Sequence, residues 1–444
     1  MQEEKKLRKE ISFLGLIAMS VGGNIGGALF SLTNIAGSMA GPALPLAMLI
    51  SAFPVLLALI PLSVLTSAWA TTSGTYRYAQ LFNPRFAFII MLSLAVCASI
   101  GGQPLFALTF GLFLEELLPV SPVLAGVLLL LFFYLINLLG IKLTARIQAA
   151  LFLILVASLL LFVLIGAPQV SLDNFSGFFS AGVGGLLAAA GILFTFCAGG
   201  LLIIDVGSEV ISGESTYPKA LFYGILIALA IYIAIHFVTI GVYNWQGLGE
   251  VTLLEVAATF MSRSALNVFI IGGALVACAT TVNILFTYIP RGLMVVSGEG
   301  LLPPFLSQVN NRFGTPHWAL TITCLLAIIA IVVIPSLFFF GAMLNFGLIL
   351  AIATVCLAAA VVPKKHPALY ERARIKYTPR ILKVVCYSIA AINGLIFLFL
   401  AIALTQSALI YLGIVVVIFL YSLTRTEIFR EISQMQADQI LPGE

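Results

Sequence analysis

Apolar runs long enough to cross a lipid bilayer follow one another along almost the whole chain. A membrane helix needs about 20 apolar residues, because the hydrocarbon core is about 30 Å thick and an α-helix rises about 1.5 Å per residue. Of the 444 residues, 61% are hydrophobic and only 9% are charged, which is far outside the usual range of soluble domains. The sequence therefore predicts an all-α membrane protein with twelve transmembrane helices, at approximately 12–38, 42–66, 86–117, 122–139, 144–167, 185–212, 217–243, 264–296, 317–336, 339–362, 382–402 and 405–424.

The segments between these runs are too short to fold as separate soluble domains. The longest polar stretch, 363–380, predicts a cytoplasmic loop with at most one interfacial helical turn. We therefore expect residues 1–444 to form a single membrane domain. The six cysteines and three histidines are scattered, without metal-ligand or nucleophile motifs, so we expect no enzyme and no cofactor other than a coupling ion.

The basic residues fall on one side of the predicted membrane. Positively charged loops favour the cytoplasm, so both termini are expected there, in an integral multi-pass plasma-membrane protein. The same charges predict contact with anionic lipid and give no support to nucleic-acid binding. The basic residues concerned are Lys5, Lys6, Arg8, Lys9, Arg77, Arg85, Lys142, Arg146, Lys219, Arg312 and the cluster Lys364 to Lys383, whereas the opposite loops carry Glu115, Glu116, Asp173, Glu250, Glu255 and a single arginine, Arg263.

A glycine-rich, polar interruption lies in the middle of the first apolar run. It reads Gly22-Gly23-Asn24-Ile25-Gly26-Gly27-Ala28-Leu29-Phe30. A helix that breaks inside lipid leaves backbone N–H and C=O groups without partners, and this is tolerated only where protein, water or a ligand satisfies them. The interruption is therefore a candidate binding site.

A second interruption, from Thr195 to Gly200, lies in the sixth run. Broken helices at corresponding positions of two halves indicate an inverted-repeat transporter with its binding site at the bilayer midplane. Glycine clusters also serve simple close packing of membrane helices, which is the alternative explanation. Asn24 and Asp205 flank the two interruptions and favour the binding site.

Four segments of the chain resemble a known transporter superfamily. They are Gly26-Gly27-Ala28-Leu29-Phe30; the run from Phe194 and Gly199 to Glu209 and Pro218; Asn137, Gly140, Lys142 and Arg146; and Thr281-Val282-Asn283 with Arg291, Gly300-Leu301-Leu302-Pro303, Asn310 and Arg312-Phe313-Gly314-Thr315-Pro316. These segments resemble the first, sixth, fifth and eighth helices of the amino acid–polyamine–organocation superfamily. The chain departs from that pattern at Gly27, where several members carry Ser or Thr, and at Ala28, which replaces a glycine.

This resemblance covers roughly residues 10 to 362 and implies a fold and a function. The implied fold is the five-plus-five inverted repeat of the sodium–leucine transporter type, followed by two C-terminal helices. The first repeat would span approximately 10–165, the second 182–362, and the extra helices 380–425. The implied function is secondary transport of amino acids or related amines by alternating access. Proton symport and amino acid exchange remain alternatives to sodium coupling, and the oligomeric state stays open.

The broken helices offer backbone groups that match the constant part of an α-amino acid. The N–H groups of Gly26, Gly27 and Ala28 lie at the positive end of a half-helix and suit a carboxylate. Carbonyl groups freed by the breaks suit an ammonium group; the candidates are Gly22, Gly23, Phe196 and Cys197.

Side-chain specificity is expected from polar and small residues around the breaks. The candidates are Asn24, Gly101, Gln103, Gly199, Gly200, Asn283 and Asn345, with Phe194 or Phe196 as an occluding aromatic residue. Hydrogen bonding between helices is an equally good explanation for Gln103, Asn283 and Asn345.

Two carboxylates lie within the sixth run. The i, i+4 spacing of Asp205 and Glu209 predicts that both lie on one helical face. Since carboxylates inside a membrane usually face a cavity or a partner, we expect Asp205 to act in coupling or gating. Glu209 is expected to form an ion pair with Arg or Lys of a neighbouring helix.

Oxygen atoms of the first and eighth runs form a candidate sodium site. Relatives with a sodium site at this position use carbonyl groups of the first helix and small residues of the eighth; here these are Gly22, Ile25, Ala277, Thr280 and Thr281. Oxygen ligands suit a hard cation. Relatives without sodium often place a lysine of the fifth helix there, whereas this chain has Leu155. Threonine hydroxyls that bond to their own helix are the alternative.

Overall fold

The computed structural model describes residues 9–438, with the side chains of residues 31, 195 and 435–438 left out of the description. Lys5, Lys6 and Arg8, which entered the topology prediction, lie outside this range. Within it the fold is helical, and the β pairing consists of two isolated bridges, Ile11 with Val210 and Thr72 with Val206. The helices are α1 (Phe13–Asn24), α2 (Ala28–Ala40), α3 (Leu44–Ala68), α4 (Gly74–Gln80), α5 (Pro84–Cys97), α6 (Gln103–Glu115), α7 (Pro122–Leu138), α8 (Ile141–Gly166), α9 (Gly182–Ala198), α10 (Gly213–Val242), α11 (Leu253–Ala258), α12 (Arg263–Phe269), α13 (Val276–Gly298), α14 (His317–Val333), α15 (Leu337–Lys365), α16 (Pro367–Arg372), α17 (Pro379–Ala403), α18 (Thr405–Leu423) and α19 (Thr426–Asp438).

Several helices begin at residues whose side chains satisfy free backbone N–H groups. Ser12 accepts a hydrogen bond from the Gly15 N–H at the start of α1, and Asn83 accepts one from the Phe86 N–H at the start of α5. Such caps replace the partners that the first turn of a helix lacks. Helix α8 follows Gly140, whose backbone φ of 112° is rarely adopted by residues that have a β-carbon.

Nine helical stretches of the described chain are long and apolar enough to cross a membrane. Three further apolar helices, α1, α7 and α14, are shorter, with 12, 17 and 17 residues. Every one of the twelve predicted runs contains helix. The prediction did not include the short helices α4 and α11 or the terminal helix α19, whereas α16 lies in the stretch 363–380, where one interfacial helical turn was expected.

Four of the apolar stretches are not continuous α-helices. The first is interrupted between α1 and α2, and the sixth changes from α9 to a 3-10 helix over Gly199–Asp205. Wider π-helical turns interrupt the third stretch at Ala98–Gly102 and the eighth at Ile270–Leu275. Such turns within helices occur frequently at functional sites.

Burial separates a central group of helices from a peripheral pair. In the most apolar window of Arg263–Gly298, 83% of residues are buried by protein, against 17% for α17 and for α18. The interrupted stretches are therefore in the centre, while α17 and α18 present most of their surface to lipid. All six cysteines are buried, and none of them is paired with another.

Candidate functional site

The first break lies where the hydrogen-bond ladder of α1 stops. The Ile25 N–H still donates to Val21 O at 2.7 Å, but the Gly26 N–H donates to Asn24 O at 3.0 Å. In a continuous helix the Gly26 N–H would bond to Gly22 O. That carbonyl instead accepts a hydrogen bond from the Thr281 hydroxyl of α13, at 3.2 Å.

The second break contacts the first through backbone atoms. A β-carbon on Gly199 would lie 2.1 Å from Gly23 O, and one on Gly23 would lie 3.0 Å from Gly199 O. The Gly200 N–H donates to Asn24 Oδ1 at 2.6 Å, so the Asn24 side chain bridges the two breaks. The glycines at these positions are therefore needed for the approach of the two chain segments.

Tyr232 of α10 binds both breaks from a third helix. Its hydroxyl donates to Asn24 O at 2.7 Å and to Phe196 O at 3.3 Å, and its ring packs 5.2 Å from that of Phe196. Tyr232 was absent from the sequence-based candidates. The available signal was a tyrosine in the middle of an apolar run, because a buried tyrosine hydroxyl usually has a partner.

Side chains of α6 and α13 cover the glycine pair that precedes α2. A β-carbon on Gly26 would lie 2.8 Å from Phe106 Cε1, and one on Gly27 would lie 2.5 Å from Cys278 Sγ. Ala28 begins α2 directly after them. The cysteine thus fills the space that a Ser or Thr at position 27 would use. Phe106 was also absent from the sequence-based candidates.

Two buried amide side chains, Asn24 at the first break and Gln103 on α6, retain unpaired polar atoms. Asn24 Nδ2 and both Nε2 and Oε1 of Gln103 have no hydrogen-bond partner among the described residues. Leaving a buried polar group unpaired costs about 1–3 kcal/mol. Gln103 directly follows the π-helical turn of the third stretch and lies one helical turn before Phe106. These atoms are therefore suited to accept a polar ligand.

Asn283 takes part in a buried network that joins α7, α8 and α13. Its Oδ1 accepts from Asn137 Nδ2, and its Nδ2 donates to Gln148 Oε1, both at 2.9 Å. Gln148 Nε2 in turn donates to Ala18 O at 3.4 Å and occupies the space beside Gly22. In this conformation Asn283 has the interhelical hydrogen bonds that were the alternative to substrate contact.

Four of the five candidate sodium ligands, Gly22, Ala277, Thr280 and Thr281, are joined by hydrogen bonds. The Thr281 hydroxyl donates to Gly22 O at 3.2 Å and to Ala277 O at 3.0 Å, while the Thr280 hydroxyl donates to Ala277 O at 2.8 Å. Oxygen atoms at these separations can share one hard cation once the hydroxyl protons turn away. Ile25 and Leu155 are fully buried. No group of three or more His, Cys, Asp or Glu suited to a metal occurs in the part of the chain that the structure describes.

The prediction that Asp205 and Glu209 share one helical face is wrong. The backbone has 3-10 geometry over Gly199–Asp205 and again over Gly207–Glu209, so the α-helical spacing does not apply. Asp205 accepts hydrogen bonds from the Thr75 N–H at 2.7 Å and the Thr75 hydroxyl at 2.9 Å. Glu209 forms the expected ion pair, with Arg291 of α13, and both side chains are buried.

The same end of the molecule carries a second polar cluster. Glu299 accepts hydrogen bonds from Tyr76, Arg77 and Gln80, all on α4. A parallel bridge also joins Ile11 to Val210. The chain before α1, the short helix α4 and the end of α13 are therefore tied to the segment that follows the second break.

Three further candidates lie in the core beside the second break. Phe194 and Phe196 are 2% and 1% exposed, and Cys197 is fully buried. Their burial is consistent with a site that is closed in this conformation.

Two interrupted helices in contact within an apolar helical fold are the arrangement typical of membrane transporters. The chain belongs to the amino acid permease family, whose sequence model matches residues 11–420. It is therefore an integral membrane protein of the amino acid–polyamine–organocation superfamily, a transporter and not an enzyme.

Proteins similar to this chain are named for several different substrates. The chain is 25% identical to a methylthioribose transporter of Bacillus subtilis (strain 168), with 85% of this chain and 86% of that protein covered. It is 25% identical to a branched-chain amino acid permease of the same organism, covering 89% and 87%. Identity is also 25% to the vacuolar cationic amino acid transporter 4 of Arabidopsis thaliana, covering 70% of this chain and 56% of that protein.

Proposed function

We propose that this protein is a secondary active transporter that moves amino acids across the plasma membrane by alternating access. The observation that carries the proposal is the backbone contact between the two helix breaks. The Asn24 side chain joins them, because its Oδ1 accepts a hydrogen bond from the Gly200 N–H. Half-helices that meet at the centre of a bundle can bind the charged groups of a substrate and also move relative to each other. The family, and two relatives named for amino acids, support this substrate class.

Features that recur at an offset of five stretches support the inverted repeat. Breaks occur in the first and sixth apolar stretches, π-helical turns in the third and eighth, and 17-residue helices, α7 and α14, in the fourth and ninth. We therefore propose twelve spans, with repeats at about 10–165 and 182–362, accessory helices at 380–425, and both termini in the cytoplasm. The bias of basic residues supports that orientation.

The surroundings of the breaks favour a neutral amino acid. Phe106, Cys278, Phe196 and Tyr232 line this region, and the nearest carboxylates along the sixth stretch are bonded to Thr75 and Arg291. Among the described residues that contact the breaks there is no carboxylate to pair with a cationic side chain, whereas the zwitterion can use backbone dipoles. Asn24 and Gln103 would supply polar contacts. Transport of a related amine is the alternative. Such a substrate has no carboxylate for the N–H groups of the first break to bind.

Binding at the first break predicts a specific loss in Gly26→Val. The branched side chain would overlap Phe106 and Thr281, so substrate binding and transport should be abolished. Counterflow of radiolabelled neutral amino acids in proteoliposomes measures this loss. The matched control is Gly191→Val in α9, where a β-carbon meets open space. Wild-type counterflow by a folded Gly26→Val protein would refute the site.

We propose sodium as the coupling ion, bound between Gly22 and Ile25 of the first stretch and Ala277, Thr280 and Thr281 of α13. Thr281→Ala should weaken sodium-dependent uptake about tenfold, because an oxygen ligand is lost. Leu155→Lys should make the remaining transport independent of sodium. Thr239→Ala is the matched control, since that buried threonine also bonds to its own helix, at Ile235 O.

Proton coupling or exchange is the alternative to sodium. Asp205 would then act at the cytoplasmic side, where it holds α4 through Thr75, and Phe194 would act as the occluding aromatic residue. Wild-type uptake that continues with sodium replaced by choline, at clamped membrane potential, would exclude the sodium site. A pH profile of uptake that changes in Asp205→Asn would support proton coupling instead.

A further inference from the structure

A groove on the outer surface of the bundle separates α7 from α14. Its volume is about 710 Å³, within the about 300–1,000 Å³ typical of small-molecule sites. The lining includes Tyr134 and Leu138 of α7, Phe313 of the preceding loop, and His317 and Trp318 of α14. The groove is lined by α7, α14 and the loop before α14, whereas the helix breaks lie in the first and sixth stretches.

Hydrogen bonds hold the two walls of the groove at a fixed separation. The Tyr134 hydroxyl and Thr321 Oγ1 lie 2.9 Å apart, and the Thr315 hydroxyl donates to Leu138 O at 3.1 Å. Trp318 is 45% exposed and packs edge-on against Phe305 at 6.1 Å. Tyrosine and tryptophan side chains of this kind are enriched where the hydrocarbon meets the lipid headgroups.

The end of the groove is basic. Arg312 stacks on Phe313, with its guanidinium carbon 5.2 Å from the ring centre. Phe313 O lies beside Gly140, two residues before the exposed Lys142, and Arg146 follows one turn later. The segments 134–146 and 301–321 contain no Asp or Glu to neutralise these charges. His317 Nδ1 is also buried without a hydrogen-bond partner among the residues that the structure describes.

We propose that this groove binds an anionic phospholipid, with an acyl chain between α7 and α14 and the phosphate close to Arg312 and Lys142. The apolar walls of the groove suit the acyl chain of the lipid. The basic end of the groove, without nearby acidic residues in segments 134–146 and 301–321, suits its anionic headgroup. Each basic residue near the surface of an anionic membrane strengthens such binding about fivefold. The site is independent of the proposed transport function.

Quenching of Trp318 by brominated lipids tests the proposal. Of the three tryptophans, Trp69 and Trp245 are replaced by Phe, so that Trp318 alone reports. In mixed vesicles, phosphatidylglycerol with brominated chains should quench Trp318 at about a 25-fold lower mole fraction than brominated phosphatidylcholine, about fivefold for each of Arg312 and Lys142. Arg312→Gln or Lys142→Gln should each reduce that preference severalfold. Arg430→Gln, which changes an exposed arginine of α19, should leave it intact.

Three results would overturn the proposal. Equal quenching by the two lipids would indicate ordinary boundary lipid. An unchanged preference in both Arg312→Gln and Lys142→Gln would remove the basic rim from recognition. Inorganic phosphate that abolishes the preference at constant ionic strength would indicate a site for a small anion. Native mass spectrometry of the same variants, with retained phosphatidylglycerol as the readout, checks folding and binding together.

Discussion

At the first break, helix α1 ends at Asn24 and α2 begins at Ala28, whereas at the second the helix narrows to 3-10 geometry over Gly199–Asp205. The first arrangement frees Gly22 O, which the Thr281 hydroxyl then binds. The second keeps a continuous helical path and presents the Gly200 N–H to Asn24. The first break therefore frees backbone groups for other partners, whereas the second places a narrow helical segment against the first break.

The largest effect is expected where the two breaks touch. In Gly199→Ala the new β-carbon would lie 2.1 Å from Gly23 O, and neither backbone segment can move as a side chain would. Overpacking of this kind costs up to about 3 kcal/mol, so transport should fall on the order of 100-fold. Gly191→Ala, in α9 of the same stretch, should behave as wild type. Uptake and thermal unfolding are measured together, and wild-type values for Gly199→Ala would show that the two breaks do not touch.

An intermediate effect is expected at the gap itself. Gly27→Ser should cost about 1–3 kcal/mol of stability, because its β-carbon would lie 2.5 Å from Cys278 Sγ. Adding Cys278→Ala removes that sulfur and should restore most of the loss. Thermal unfolding of the two single variants and the double variant measures the coupling. Gly184→Ser, in open space, is the control, and a strictly additive double variant would contradict the contact.

The smallest effect is expected for the hydroxyl that spans both breaks. Tyr232→Phe removes the donor to Asn24 O and Phe196 O, and should raise the KM of uptake about fivefold, equivalent to about 1 kcal/mol. The maximal rate should change less. Tyr223→Phe, at an exposed position of the same helix, serves as the control. An unchanged KM would mean that Asn24 and Phe196 keep their positions without Tyr232.

The sequence predicts the apolar stretches and both interruptions because each is encoded within a few consecutive residues. Glycines at 22, 23, 26, 27, 199 and 200 mark the breaks before any tertiary contact is known. Membership of the superfamily, predicted from four motifs, is confirmed by the family match. The assignment of substrate and ion ligands remains a prediction.

Other features depend on contacts between distant parts of the chain and could not be predicted from local patterns. Tyr232 binds a carbonyl 208 positions away, and Asn283 binds an amide 135 positions away. The geometry after Gly199 was misjudged for a related reason. Thr75, which holds Asp205, and Arg291, which holds Glu209, come from other elements, so that tertiary bonds and not helix propensity set the backbone there.

The 3-10 segment also changes the reach of the sixth stretch. A residue advances about 2.0 Å in a 3-10 helix and about 1.5 Å in an α-helix. Seven residues in the narrow form therefore extend about 3.5 Å further than the same residues in the wide form. A change of Gly199–Asp205 to α geometry would shorten this segment, which connects Asn24 to Thr75, by that length. The Asp205 carboxylate would then move away from α4. If substrate binding at the two breaks causes this change, it displaces Asp205 relative to α4 at the membrane surface, and no hinge residue is required.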